Sequence, residues 1–297
     1  MDKRGLFVGL ITGDLIYLAA HVPAANEKAV ASQYCFAAGG PATNAAIAFR
    51  AQGCESRLVG ALGIGSLGQL LGREIKKYGV EVIDTQAESA LDPPISSIIV
   101  TKATGDRSVI SLNTMGFSGV EQSCSMRFLD DIDVVLVDGH LMTLGAAIAR
   151  EAQKRGIPVV VDGGSWKQNF SEVLVYSDFV ICSANFYPPN CITTSAVVAY
   201  LQDLGVKNIA ITQGQAPILW WQGDHQGEIP VPQVKVVDTL GAGDIFHGAF
   251  CAYILEQDFV NALASAAEVA SYACQFFGTR AWLTGDTARV NEPITDL

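Results

Sequence analysis

No glycine in this 297-residue chain is followed by lysine, so a Walker A phosphate loop is absent. The zincin helix H-E-x-x-H and the nucleophile elbow G-x-S-x-G are missing as well. The seven cysteines (Cys35, Cys54, Cys124, Cys182, Cys191, Cys251 and Cys274) are odd in number and form no C-x-x-C pair. That excludes a disulfide framework or a zinc site from the expectations and suits a reducing cytoplasm. Basic residues are scarce: 19 Lys and Arg against 30 Asp and Glu leave a formal net charge of −11. Nucleic acid and anionic membrane are therefore not expected as partners, although a local cradle of backbone dipoles can still bind an anion. The opening residues carry no long apolar h-region, and uncharged stretches such as 179–202 contain Asn, Pro, Ser and Thr. Neither a secretory signal nor a membrane span is expected.

What the chain does have is apolar mass. Hydrophobic residues make up 49% and charged residues 16%, enough for a substantial buried core. Short runs rich in Val, Ile and Leu at 6–11, 57–62, 134–137, 159–161, 179–182 and 209–212 read as buried strands. Segments 42–51, 67–78, 144–155, 196–204 and 245–255 read as helices. This alternation predicts an α/β fold, a mainly parallel sheet with helices on both faces. Two regions break the rhythm. Segments 16–34 and 95–112 look like strands without intervening helices, the second with a Gly105-Asp106 turn signal. With no repeat, low-complexity tract or linker, residues 1–297 are expected to form a single domain.

The most informative stretch is Val237-Asp238-Thr239-Leu240-Gly241-Ala242-Gly243-Asp244, followed by an apolar helical run. Gly241-Ala242-Gly243 lets backbone N–H groups converge, and a helix starting near Asp244 adds its unpaired N–H groups and its positive dipole end. That combination is an anion cradle. Asp at a helix start is ordinarily a cap; beside a phosphate cradle it can also take a proton from an attacking hydroxyl. A competing motif lies at Gly63-Ile64-Gly65-Ser66-Leu67-Gly68, a literal G-x-G-x-x-G with Asp84 beyond it, which admits an NAD-dependent oxidoreductase as the rival.

The segment Asp238-Thr239-Leu240-Gly241-Ala242-Gly243-Asp244 resembles the signature of ribokinase-like carbohydrate kinases, the phosphofructokinase-B type. Gly39-Gly40-Pro41-Ala42-Thr43-Asn44, then Gly53 and Gly60-Ala61-Leu62-Gly63-Ile64-Gly65, resembles that family's upstream signature. The resemblance implies a three-layer α/β/α domain with a small β-lid over the sugar site, the lid strands falling at about 16–34 and 95–112. It implies an ATP- and magnesium-dependent sugar kinase, with a nucleoside kinase or a non-catalytic sugar- or nucleotide-binding regulator as alternatives. By resemblance Asp244 is the base and Gly241, Ala242 and Gly243 the anion hole. Asp14, Gly39, Gly40 and Asn44 bind substrate, and Asn185, Thr212 and Gly214 meet the nucleotide. Asp238 and Thr239 belong to a loop that holds a monovalent cation such as potassium in some relatives. Dimerisation through the lid is a further implication. Some residues depart from the family pattern: Ser66 replaces a common Asp, and Pro188 replaces the Glu of Asn-x-x-Glu. His247 reads first as a satisfied core group, and Arg107 and Arg280 as surface residues.

Overall fold

The computed structural model describes residues 3–112 and 126–285. In chain order the strands and helices are β1 (Arg4–Val8), β2 (Thr12–Ala19), β3 (Gln33–Gly39), α1 (Pro41–Ala51), β4 (Glu55–Gly60), α2 (Ser66–Lys77) and β5 (Val80–Asp84). Then come β6 (Ile95–Thr101), β7 (Arg107–Ser111), β8 (Val134–Val137), α3 (Met142–Arg155), β9 (Val159–Gly163), α4 (Ser171–Leu174) and β10 (Phe179–Ser183). The chain closes with α5 (Thr194–Asp203), β11 (Asn208–Gln213), β12 (Ala216–Gln222), β13 (His225–Ile229), α6 (Ala242–Tyr253) and α7 (Phe259–Ala273).

Nine strands form one sheet in the order β13-β12-β11-β10-β9-β8-β1-β4-β5. From β11 across to β5 the neighbours run parallel, and β12 and β13 add an antiparallel edge. Strand period explains the three layers. On β1, Phe7 points into the core shared with Phe49 of α1, Phe250 of α6 and Leu263 of α7. Its neighbours Leu6 and Val8 point to the other face, where Ile148 of α3, Phe170 and Leu201 of α5 pack. Central strand β8 is Val-Val-Leu-Val, buried at every position, as a strand covered on both faces must be.

A second sheet of four strands, in the order β3-β2-β6-β7, stands apart from the first. Strands β2 and β6 pair parallel, which requires the long excursion through α1, β4, α2 and β5 between them. The extended segment expected at 16–34 is two strands: β2 begins at Thr12, and residues 20–32 leave the sheet as turns and loop. The turn signal at Gly105-Asp106 does lie between β6 and β7. Residues 113–125, Cys124 among them, lie outside the described residues. Helix α7 and strands β5, β12 and β13 were not among the elements expected.

Candidate functional site

The site is assembled at the carboxyl ends of the central strands, where an open α/β sheet leaves a crevice. Asp138, just beyond β8, organises one side of it. One carboxylate oxygen accepts from Leu10 N (2.9 Å) and Ala42 N (3.0 Å), and the other from His140 N (2.9 Å). Asp138 thus ties the end of β1 to the first turn of α1, whose own cap residue is a glycine that offers no side chain. Sequence reasoning missed it because the capping group comes from a strand 96 residues away. Gly40, at φ +100°, passes so close that a Cβ there would lie 2.2 Å from the Leu10 carbonyl oxygen.

Opposite that turn, Asp14 of β2 is 5% exposed. Its carboxylate fills the space a Gly39 side chain would need, 1.8 Å from the position of a Cβ. Gly39 therefore makes room for Asp14. Desolvation pushes the Asp14 carboxyl up to about 7, helped by the charge of Asp244 and Glu74 and opposed by the Ser96 hydroxyl and Arg280. Asp14 Oδ1 has no hydrogen-bond partner among the described residues, although it is buried. A buried polar atom left without a partner is uncommon and calls for an explanation.

Across from Asp14, Gly241 adopts a left-handed turn at φ +72° and α6 begins at Ala242. The N–H groups of Gly243 and Asp244 lie in the first helical turn, ahead of the point where the helix's own carbonyls can serve them. Nothing crowds Gly243: a Cβ there would meet no atom within 4 Å. Asp244 sits at the lip, half-buried, and Asn44 Nδ2 donates to its Oδ2 at 2.7 Å. Desolvation first, and the buried Asp162 carboxylate second, raise the Asp244 carboxyl to about 6, against the Asn44 hydrogen bond, His247 and Arg107. A carboxylate in that range is ionised at neutral pH and more basic than an exposed one.

The meeting of Asn44 and Asp244 depends on small residues where α1 crosses α6. Gly248, one turn below Asp244, lies so near α1 that a Cβ would stand 2.2 Å from the Ala45 carbonyl oxygen and 2.8 Å from Ala48 Cβ. Beneath the cradle, His247 is buried with Nδ1 2.7 Å from the Gly243 carbonyl oxygen, Nε2 3.2 Å from that of Ile181, and Asp162 3.6 Å away. It braces the first turn of α6 against β10.

Asn185, Thr212 and Gly214 sit outside this hydrogen-bonded group, at the carboxyl ends of the adjacent strands β10 and β11. Ser183 and Thr212 are register partners there. Asn185 and Gly214 are exposed, and the Thr212 hydroxyl donates to the Cys182 carbonyl at 3.3 Å. Asp238 is 2% exposed, with its two carboxylate oxygens accepting from Leu240 N and Gly278 N, both at 2.8 Å. The Thr239 hydroxyl donates to the Gly105 carbonyl (3.1 Å) and accepts from Arg107 (3.0 Å). Asp238 thus ties the cradle loop to Gly278, and Thr239 ties it to the β6–β7 turn.

The G-x-G-x-x-G segment is occupied by the protein itself. Asp84 accepts from Leu62 N, Gly63 N and Gln86 N. Asp92 accepts from Leu67 N (3.0 Å) and Gly68 N (3.4 Å), so a carboxylate already holds the N-terminus of α2 where a pyrophosphate would sit. The dinucleotide reading fails on this point: Asp84 is not free for a ribose. Among the described residues no group of three or more His, Cys, Asp or Glu side chains is arranged to hold a metal ion, and no helix is long and apolar enough to cross a membrane.

Comparison with known proteins agrees with this geometry. Residues 3–284 match the family described as pfkB family carbohydrate kinase. A ribokinase of Lactococcus lactis subsp. lactis is 25% identical over 291 residues, covering 92% of this chain and 91% of that protein. The structure of a Thermotoga maritima ribokinase superposes with a TM-score of 0.77 at 20% identity, over 95% of this chain and 96% of that one. That of Arabidopsis thaliana ribokinase, complexed with ribose and ATP, gives 0.75 at 21% identity, over 94% of each chain. These two likenesses establish a ribokinase-like fold.

Proposed function

The chain belongs to the pfkB family of carbohydrate kinases, which makes it an ATP-dependent sugar kinase, and from that premise we propose that Asp244 is its base and the Gly241–Gly243 turn its anion hole. The observation that carries the assignment is the half-buried, Asn44-anchored carboxylate of Asp244 beside the uncrowded N–H group of Gly243. In this reading Asp14 holds a sugar hydroxyl through its unpartnered oxygen, opposite Asp244. The reacting hydroxyl gives its proton to Asp244 as its oxygen forms a bond to the γ-phosphorus of ATP. The bond from that phosphorus to the β,γ-bridging oxygen breaks, and ADP leaves. Charge developing on the phosphoryl oxygens falls on the backbone N–H groups and dipole of α6.

In this reading Asn185, Thr212 and Gly214 meet the nucleotide; in its support, they lie at or just beyond the carboxyl ends of the paired strands β10 and β11. Magnesium would be held mainly by phosphate oxygens and water, with Asn185 the side chain of the expected set that would meet it. Its chemistry when bound is charge neutralisation at the transferring group. The single domain spans the described chain, with β2, β3, β6 and β7 as the lid. Free, largely buried thiols suit a cytoplasmic location.

The test is Asp244→Asn. It keeps size and much of the capping capacity but removes the proton acceptor. Turnover should fall by about 10²–10⁴-fold, the usual range for losing general acid–base help, while nucleotide binding and melting temperature change little. Near-normal turnover by a folded, saturated variant would reduce Asp244 to a cap. A panel of sugars and nucleosides screened for ADP release distinguishes a sugar acceptor from a nucleoside.

A further inference from the structure

We propose that Arg280 is a positioning residue for Asp244, acting through the side-chain amide of Asn44. The proposal rests on Asp244 being the base. One guanidinium nitrogen of Arg280 donates to Asn44 Oδ1 at 2.8 Å, and Asn44 Nδ2 donates to Asp244 Oδ2 at 2.7 Å. A guanidinium only donates and an ionised carboxylate only accepts, so both ends of the relay dictate the same orientation of the amide. Asn44 is 3% exposed, and no solvent competes for it. The amide that the family resemblance gives to substrate uses one of its two N–H groups on the base.

Arg280 is itself held from several directions. Its guanidinium donates to the Ala38 carbonyl at the end of β3 and to the Thr279 carbonyl at 3.0 Å, and lies 5.5 Å from the centre of the Tyr78 ring. The Glu74 carboxylate, anchored on Ala38 N at 2.7 Å, answers its charge. Thr279 and Asn44 also pack under the left-handed turn of the cradle: a Cβ on Gly241 would lie 2.9 Å from Thr279 Cγ2 and 3.5 Å from Asn44 Nδ2. One side chain remote in sequence therefore sets the amide, the amide sets the carboxylate rotamer, and the same packing supports the anion hole. Without Arg280 the amide is free to rotate and present Oδ1 to Asp244, which repels the carboxylate or favours its protonated form. The other charged groups facing Asp244 are Asp162 at the end of β9, His247 on α6, Arg107 on β7 and Asp14 on β2. Of these, Asp14 also loses the Arg280 charge when Arg280 is replaced, and its carboxyl moves further up.

The experiment is a double-mutant cycle on the full chain, with ATP–magnesium and the best acceptor from the panel. Arg280→Met keeps an apolar stem over Tyr78 and removes every donor. It should lower kcat by about 10- to 100-fold, the scale of a misplaced catalytic group, and move the acid limb of the kcat profile to higher pH, because the carboxylate loses a donor that favours its charged form. In an Asn44→Ala background the same change should lower kcat by less than about twofold, since residues that act in series are non-additive. If Arg280→Met lowers the melting point too far to assay, Arg280→Lys keeps the charge beside Glu74 and is expected to show the same non-additivity. Equal losses of kcat in both backgrounds, or an acid limb that does not move, would overturn the relay. A rise in the acceptor's KM with kcat intact would instead make Arg280 a substrate contact and overturn it too. Asp244→Asn run alongside separates the two readings: retained turnover there sinks the base, whereas an inactive Asp244→Asn with additive Arg280 losses sinks only the relay.

Discussion

Asp14 is buried and Asp244 half-buried; both carboxyls are pushed up chiefly by desolvation, Asp14 further by the charge of Asp244 and Asp244 further by that of Asp162. For catalysis the sign is simple: Asp244 must be ionised to accept a proton, so kcat should fall as pH drops through about 6. A profile flat down to pH 5 would count against it. For stability the sign is opposite to that of a salt-bridged carboxylate. Folding raises the Asp14 carboxyl from its ordinary value to about 7, so the folded state binds more protons than the unfolded one between about pH 4 and 7. The stabilisation is complete below that window and is lost as pH rises through it. Asp14→Asn should therefore raise the melting temperature at pH 8, leave it nearly unchanged at pH 4, and weaken sugar binding, as removal of a strained functional group does. A lower melting temperature at pH 8 would mean that Asp14 is structural. The signature motifs made Asp244, Gly241–Gly243 and Asn44 legible in the sequence as residue types. What they do not carry is partnership: Asn44 turns its nitrogen to Asp244, and Arg280, expected at the surface, is drawn in from 236 positions away. Asp138 was invisible for the same reason.

At the scale of elements, the crossing of α1 and α6 decides whether the site exists. The contact is backbone against backbone because Ala45, Ala48 and Gly248 carry little or nothing beyond Cα. Gly248→Ala would put a methyl 2.2 Å from the Ala45 carbonyl oxygen, too close for either helix to stay in place. The expected cost is about 1–3 kcal/mol, typical of overpacking a core, read as a lower melting temperature. Turnover should fall as well, because separating the helices pulls Asn44 from Asp244. Unchanged kcat in the surviving folded fraction would show that the crossing serves stability alone. Elements of this kind were readable where one face or both faces are apolar, as at 134–137 or 245–255. Strands β12 and β13 were not, since Gln222, His225, Gln226 and Glu228 break the apolar run on an edge that water reaches. Helix α7 hid for the opposite reason: nearly all its residues are small or apolar, so no polar stripe marked its period, though Asp258 caps it by accepting from Asn261 N at 2.9 Å.

At the scale of the whole molecule, the four-stranded lid is incomplete as it stands. Among the described residues β3 and β7 are the outer strands of this sheet, and large apolar side chains are exposed along them. Ile110 is 78% exposed and Leu112 62%, with Val109 beside them and Tyr34 60% exposed on the other edge. Charged residues are the usual protection for an open edge, and between Val109 and Leu112 there is none. One face of the lid packs through Ile16, Leu18, Ile98 and Val100 on Phe277 of the main body, and Phe36 and Ala38 of β3 join the core that includes Leu71 of α2. A second copy would cover the remainder with the same patch, the self-complementary contact that two-fold symmetry requires. We therefore expect a homodimer through the lid, with a dimer mass by sedimentation at micromolar concentration. Ile110→Glu puts a charge at the centre of the patch and should yield monomers. Because the β6–β7 turn is tied to Thr239 through Gly105 and Arg107, the monomeric variant should also bind sugar more weakly. A wild-type chain that stays monomeric as concentration rises would overturn the dimer, and an Ile110→Glu variant that stays dimeric would move the contact elsewhere on the molecule.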